Sequence, residues 1–283
     1  MTINSLCIVT DSSAQFIDSI DQYQNQLSVF PLSVQLYGVE ADQQTLVKDL
    51  HRFANDRLHP HIQAPTVEVL RKHFLKLFRD FNEILCIFLS SRLSACVENA
   101  TKAAESIPGG VSVQVIDSQT TSLGLGFLVR LALEVAAQGN SINVIEKRVR
   151  GQIPHLYSVL CTPGLSYLYH NGFVDHAQAS ITEMMELYPI FGIEDGRMTP
   201  LDKVRTRRHV FSYFQEYLTE FDKLNQIALL LNNSHNSPDL QAFREYLAEL
   251  FPDTPMMTHP TNLPVATLFG PGSLGLFLLE KTR

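Results

Sequence analysis

Hydroxyl-bearing residues gather where three apolar runs stop: Thr10-Asp11-Ser12-Ser13, Ser90-Ser91-Arg92-Leu93-Ser94 and Asp117-Ser118-Gln119-Thr120-Thr121-Ser122. Hydroxyls donate hydrogen bonds, and the first turn of a helix adds unpaired N–H groups carrying partial positive charge. Together they suit the carboxylate or phosphate head of a small anion. The same serines have a purely local use, because Ser12, Ser94 and Ser118 are good helix N-caps. A third chemistry makes Ser94 a nucleophile, with His61 as base and Asp11 or Asp117 as orienter, which would give an acyl hydrolase. No Gly-x-Ser-x-Gly elbow surrounds Ser94.

Further reactive side chains are scattered. His59 and His61 flank Pro60, which suits a polar role at a pocket mouth or an ordinary surface loop, and no His-Glu-x-x-His pattern argues for a metal. Cys7, Cys86, Cys96 and Cys161 stand far apart without a Cys-x-x-Cys pair, so they read as buried reduced thiols. Lys203, Arg205, Arg207, Arg208 and His209 form the densest basic cluster, fit either for an acidic partner face or for local ion pairs with Glu194, Asp195 and Asp202. Gly270-Pro271-Gly272 reads as a turn that lets backbone approach a ligand. The chain contains neither a Gly-x4-Gly-Lys-Ser/Thr phosphate loop nor a Gly-x-Gly-x-x-Gly fingerprint, and no cofactor is expected.

The elements that must position these residues alternate. Apolar runs at Leu6–Thr10, Leu27–Leu36, Ile84–Leu89 and Val111–Ile116 predict strands, with Pro31 placing the second on an edge or at a bulge. Helices are expected over Thr45–Leu58, over Val67–Phe81 capped by Thr66 with Val69, Leu70, Phe74, Leu77 and Phe78 on one face, through Ala104, and over Gly124–Gln138. Strand, polar loop and helix in rotation imply a largely parallel sheet with right-handed crossovers. Beyond about residue 150 the rhythm changes. Strands are expected at Val159–Thr162, Tyr188–Ile193, Ile227–Leu231 and Leu263–Phe269, with helices over 174–187, 203–222 and 238–250. The fold class is therefore α/β in two domains, a mostly parallel Rossmann-like sheet in residues 1–156 and a mixed-sheet α/β domain in 157–283. The boundary falls between Gln152 and Ser158 without a Gly- or Ser-rich linker.

Composition narrows the partners. The chain has 283 residues, 45% of them hydrophobic, enough for a substantial core. A net charge of −7 disfavours a nucleic-acid binder, which needs a concentrated basic face. No basic leader and no apolar run of membrane-spanning length is present, so a cytoplasmic protein without integral membrane association is expected.

A resemblance covers almost the whole chain. Ile8–Ala14, Phe30–Val34, Ala64-Pro65-Thr66, Ser90–Ser94, Val115–Ser118, Pro189-Ile190, Asp195-Gly196, Lys203–Arg208 and Gly270–Gly272 fall in the order and spacing of the DegV family. The resemblance implies a fatty acid held between two domains, with its carboxylate hydrogen-bonded by first-domain hydroxyls and presented to a separate fatty acid kinase. It further implies that Ser94 contacts the carboxylate, with Asp11, Ser12, Ser13, Ser91, Ser118 and Gly270 shaping the surroundings and Arg205, Arg207 and Arg208 facing a partner. A non-catalytic binder follows.

Three departures matter. Ile62-Gln63 precedes Ala64-Pro65-Thr66 where the family usually has Thr-Ser, Leu268 stands where it commonly has His, and Asn171-Gly172-Phe173 replaces Gly-Gly-Arg. An ionised head then has fewer donors, and an underpaired buried carboxylate is costly. An acyl-ligand sensor, or a binder of a different apolar ligand without kinase coupling, stays open beside the carrier.

Overall fold

The computed structural model describes residues 4–36, 39–40, 60–108, 112–231 and 237–281. The helix expected over Thr45–Leu58, together with His59, lies outside them. In chain order the strands and helices begin with β1 (Asn4–Asp11), β2 (Leu27–Phe30), β3 (Ser33–Leu36), β4 (Val39–Glu40) and β5 (His61–Gln63). Next come α1 (Val67–Leu77), β6 (Phe81–Phe88), α2 (Cys96–Glu105), β7 (Ser112–Asp117), α3 (Ser122–Ala137) and α4 (Ile142–Gln152). They continue with β8 (Leu156–Cys161), α5 (Ser166–His170), α6 (His176–Met184), β9 (Tyr188–Glu194), β10 (Arg197–Val204) and α7 (Arg207–Leu218). Last are β11 (Leu224–Leu230), α8 (Pro238–Leu250), β12 (Met256–His259), α9 (Leu263–Phe269) and β13 (Leu274–Glu280).

Two compact units emerge. The first comprises Met1–Ser33, Ile62–Pro154 and the turn Asp195–Arg197; the second comprises Val34–His61, His155–Glu194 and Met198–Arg283. In the first, four parallel strands run in the order β2-β1-β6-β7. Cys7, Ile8 and Val9 in β1 and Ile84 to Phe88 in β6 are buried on both faces, as parallel strands covered by helices must be. The edge strand β2 stops at Pro31, whose missing N–H cannot continue a ladder. Thr66 caps α1 by accepting the Val69 N–H at 3.4 Å, while Leu70 and Phe74 enter the core. Val69 itself faces solvent, because the helical period turns it off the buried stripe.

Helix α3 is buried along its first two turns, and it approaches the loop after β1 so closely that a Cβ at Gly126 would sit 1.9 Å from the Gln15 carbonyl oxygen. Only glycine fits there.

The second unit carries a six-stranded sheet, β10-β9-β8-β13-β11-β12. β8 pairs antiparallel with β9 and β13, β13 antiparallel with β11, and β11 parallel with β12, so the sheet is mixed. Phe211, Phe214 and Phe243 pack one face of it. Short strands β4, β3 and β5 form a third sheet in that order.

Some expectations need correction here. Leu263–Phe269 is helical: the Asn262 side chain accepts the Val265 N–H at 3.1 Å, Pro264 occupies the first turn, and every residue of the run is buried. A short apolar run buried all round carries no period to separate helix from strand. The helix expected from residue 203 starts at Arg207, because β10 runs through Val204 and Thr206 caps α7 by accepting the His209 N–H. The loop expected at 59–65 contains strand β5.

Candidate functional site

The loop after β1 closes on itself. Asp11 is fully buried, and its Oδ1 accepts the Ser13 N–H at 2.9 Å and the Ser13 hydroxyl at 2.5 Å, while Oδ2 accepts the Leu89 N–H at 2.8 Å. Burial raises the Asp11 carboxyl above its ordinary range, against the lowering effect of these donors. Ser12 does not cap a helix: its Oγ accepts the Leu32 N–H at 2.9 Å, and the next helical turn begins only at Asp21. Asp11 and Ser12 thus tie β1 to β6 and to the chain beyond β2.

The loops after β6 and β7 are stitched together. Ser91 donates its N–H and hydroxyl to Asp117 at 3.1 and 2.5 Å, Gln119 adds its N–H at 2.9 Å, and the Ser90 N–H reaches the Thr120 carbonyl at 2.8 Å. Ser90 Oγ donates to the Gly196 carbonyl at 2.6 Å. Ser118 is buried in a local turn, where its hydroxyl bridges the Thr120 backbone, so it is not a helix cap either. Gln119 and Ser122 take positive φ, at 54° and 55°, and so bend this loop sharply.

Ser94 differs from all of these. Half-buried, its Oγ lies 3.1 Å from Cys96 Sγ, and either atom can donate. The residue that precedes α2 is Ala95, which supplies no side-chain cap, so among the described residues the first-turn amides beside Ser94 have no capping side chain. The Cys96 thiol is pushed up to about 12 by burial, with the Asp11 charge adding to the rise and the Ser94 hydrogen bond opposing it. In the loop after β7, Thr121 precedes α3 without a side-chain cap. Among the described residues, its buried Oγ1 and that of Thr10 have no hydrogen-bond partner. This part of the first unit can receive an anion through a hydroxyl and helix amides. Among the described residues Ser94 Oγ pairs with the Cys96 thiol and not with an imidazole, the base that nucleophile activation would call for.

The second unit offers apolar space. A cavity of about 470 Å³ is walled by Phe173, Val174, Ile181, Phe191, Met198 and Pro200, with Asp202 and Lys203 also in its wall. That volume lies within the roughly 300–1,000 Å³ of small-ligand pockets. Leu268 is buried in α9. Gly270 ends that helix at φ 94°, and a Cβ there would stand 3.0 Å from the Tyr167 ring, which is reason enough for glycine.

Of the other expected site residues, Ile62 is half-buried and Gln63 exposed in β5, and His61 is exposed. Arg205 and Arg208 are exposed at the start of α7, with Arg207 half-buried between them. Among the described residues, no salt bridge joins Lys203, Arg205 or Arg208 to Glu194, Asp195 or Asp202. No group of three or more His, Cys, Asp and Glu among the described residues is placed to hold a metal ion.

Set beside known proteins, residues 5–281 match the model of the family described as uncharacterised protein, DegV family. The chain belongs to the DegV family. A DegV domain-containing protein of Staphylococcus aureus strain N315, SA0704, is 25% identical over 279 residues, covering 96% of each chain. Among solved structures, a DegV family protein from Thermus thermophilus, reported for its fatty acid binding, matches with a TM-score of 0.80 at 20% identity over 98% of this chain and 100% of that one. A DegV family protein from Eubacterium eligens, loaded with heptadecanoic acid, matches with a TM-score of 0.80 at 15% identity, over 98% of this chain and 100% of that one. These likenesses establish the DegV fold, a parallel sheet and a mixed one.

Sequence reasoning on this DegV chain missed two features. Cys96 was read only as a buried thiol, although its place two residues after Ser94 signals a turn that joins the two side chains. The cavity wall draws on α6, β9 and β10, and β10 was not foreseen, since Arg197–Val204 mixes charged and apolar residues with Pro200 inside it.

Proposed function

We propose that this chain is a lipid-binding carrier: it binds a long-chain fatty acid, with the carboxylate at Ser94, and presents the head to a separate fatty acid kinase. In this reading residues 1–156 supply head recognition, the protein works in the cytoplasm, and the chemistry on ATP belongs to the kinase. The observation that carries it is the hydroxyl of Ser94 set beside an uncapped helix start, a donor group suited to a carboxylate, in a DegV chain whose solved relatives include one loaded with a fatty acid. Arg205, Arg207 and Arg208 would face the kinase, which acidic patches recognise through such cations. No helix among the described residues is long and apolar enough to cross a membrane.

Native mass spectrometry of the purified protein tests this directly. A copurified long-chain acid in equimolar amount is expected, and delipidated protein without affinity for any fatty acid sinks the reading. A second reading is favoured by Leu268, buried and apolar where the family resemblance leads one to expect histidine: an acyl sensor, or a binder of another apolar ligand, without kinase coupling. Reconstitution with a fatty acid kinase separates the two, since only the carrier yields acyl phosphate.

A further inference from the structure

A serine hydroxyl has one proton to give, and where it points decides whether Ser94 greets an anion as donor. Cys96 opens α2, so the turn Ser94-Ala95-Cys96 brings the thiol to within 3.1 Å of the hydroxyl oxygen. Cys96 is wholly buried while Ser94 is half-buried, so Ser94 is the more accessible member of the pair. Burial and the Asp11 charge keep Cys96 protonated at neutral pH, hence always able to donate. Sulfur is a weak acceptor, so little holds the Ser94 proton on the thiol side once a carboxylate offers a stronger one. An O–H that turns outward leaves its lone pairs facing Cys96.

We propose that Cys96 is a positioning residue: its S–H donates to Ser94 Oγ and thereby turns the Ser94 O–H toward the carboxylate of the ligand. Chained hydrogen bonds polarise one another, so the thiol also strengthens the bond that Ser94 makes. The inference rests on the fatty-acid reading for what the hydroxyl meets, while the pairing of the two side chains does not depend on it. Asp11 supports the arrangement from behind, fixing Leu89 at the root of the Ser90–Ser94 loop.

The experiment measures equilibrium binding of heptadecanoic acid, and of the matching alcohol, to wild type, Ser94→Ala, Cys96→Ala and Cys96→Ser. In parallel, the infrared S–H stretch of Cys96 is isolated as the difference between wild type and Cys96→Ala, and compared with the same difference in a Ser94→Ala background. Cys96→Ala is expected to weaken the acid about five-fold while the alcohol changes less than about two-fold, and Cys96→Ser to recover the acid to within about two-fold of wild type. The S–H band is expected to shift when Ser94 is removed. Equal acid binding by Cys96→Ala and wild type overturns the proposal, as does equal loss for acid and alcohol, a serine variant no better than alanine, or an S–H band that ignores Ser94→Ala. If wild type binds no heptadecanoic acid, the fatty-acid reading fails, and the infrared comparison alone then decides the thiol–hydroxyl pairing.

Discussion

The loops after β1 and β6 look alike in composition, Asp-Ser-Ser in one and Ser-Ser-Arg-Leu-Ser in the other, yet they dispose of their protons in opposite ways. Asp11 gathers the Ser13 hydroxyl and two backbone amides inward, whereas Ser94 stands half-buried at an uncapped helix start with the Cys96 thiol beside it. The difference teaches that a count of hydroxyls does not locate a ligand; what matters is which donors the protein has already used. The first loop is a structural clasp, and the second is the one the proposed function makes a reception site.

Asp11→Ala is the strongest way to break that contrast. It orphans three buried donors, each worth roughly 1–3 kcal/mol, so a loss of about 4 kcal/mol in urea unfolding is expected, against less than about 0.5 kcal/mol for Ser94→Ala. Equal effects would erase the distinction. Acidity adds a second handle. The folded Asp11 carboxyl lies above its ordinary 3.8, so the folded state binds the proton more tightly than the unfolded chain. Relative to Asp11→Asn, wild type should therefore lose stability as pH rises from 3.8 through the folded value and change no further above it. A wild type that gains stability over that range would show the donors outweighing burial.

Gly126→Ala strikes the clasp from the helix side. The added Cβ would meet the Gln15 carbonyl oxygen at 1.9 Å, and backbone cannot give way as a flexible side chain does. A cost of about 3 kcal/mol is expected by thermal or urea unfolding, at the upper end of overpacking penalties. A neutral outcome would mean that α3 and the loop after β1 shift apart freely, and the clasp would lose its stiffness.

The cavity of the second unit sharpens the comparison differently. Met198→Asp puts a charge into an apolar wall at a half-buried position, so affinity should suffer more than stability. About a 30-fold loss in heptadecanoic acid binding is expected by titration, with unfolding free energy within about 1 kcal/mol of wild type. Loss of the acid with retention of a short-chain carboxylate would assign the cavity to the acyl tail.

Much of this was legible in the sequence because some residues announce their setting locally. The apolar runs of β1, β6 and β7 and the Thr66 cap of α1 depend on neighbours within a few positions. The polar loops followed, since they are where those runs end. Leu263–Phe269 was illegible as a helix because burial on every side removes the period that distinguishes helix from strand. β13, central in its sheet, was hard to read as a strand for a related reason: its first five residues are all buried, which leaves no alternation of apolar and polar positions. The roles of the serines were the least legible part. Ser12, Ser94 and Ser118 have the same chemistry, and only the partners that the fold brings, Leu32 for one, Cys96 for another, Thr120 for the third, separate them.

Ser12→Ala is the mildest and most discriminating test of that separation. Its Oγ accepts the Leu32 N–H across a sequence gap that spans β2, so its removal takes one hydrogen bond from a buried residue. About 1 kcal/mol of stability should go, with affinity for heptadecanoic acid unchanged, because the clasp holds the sheet edge and does not touch the head group. A serine that costs affinity instead, with stability intact, would move the reception site from the loop after β6 to the loop after β1, and the contrast between the two loops would have to be drawn the other way round.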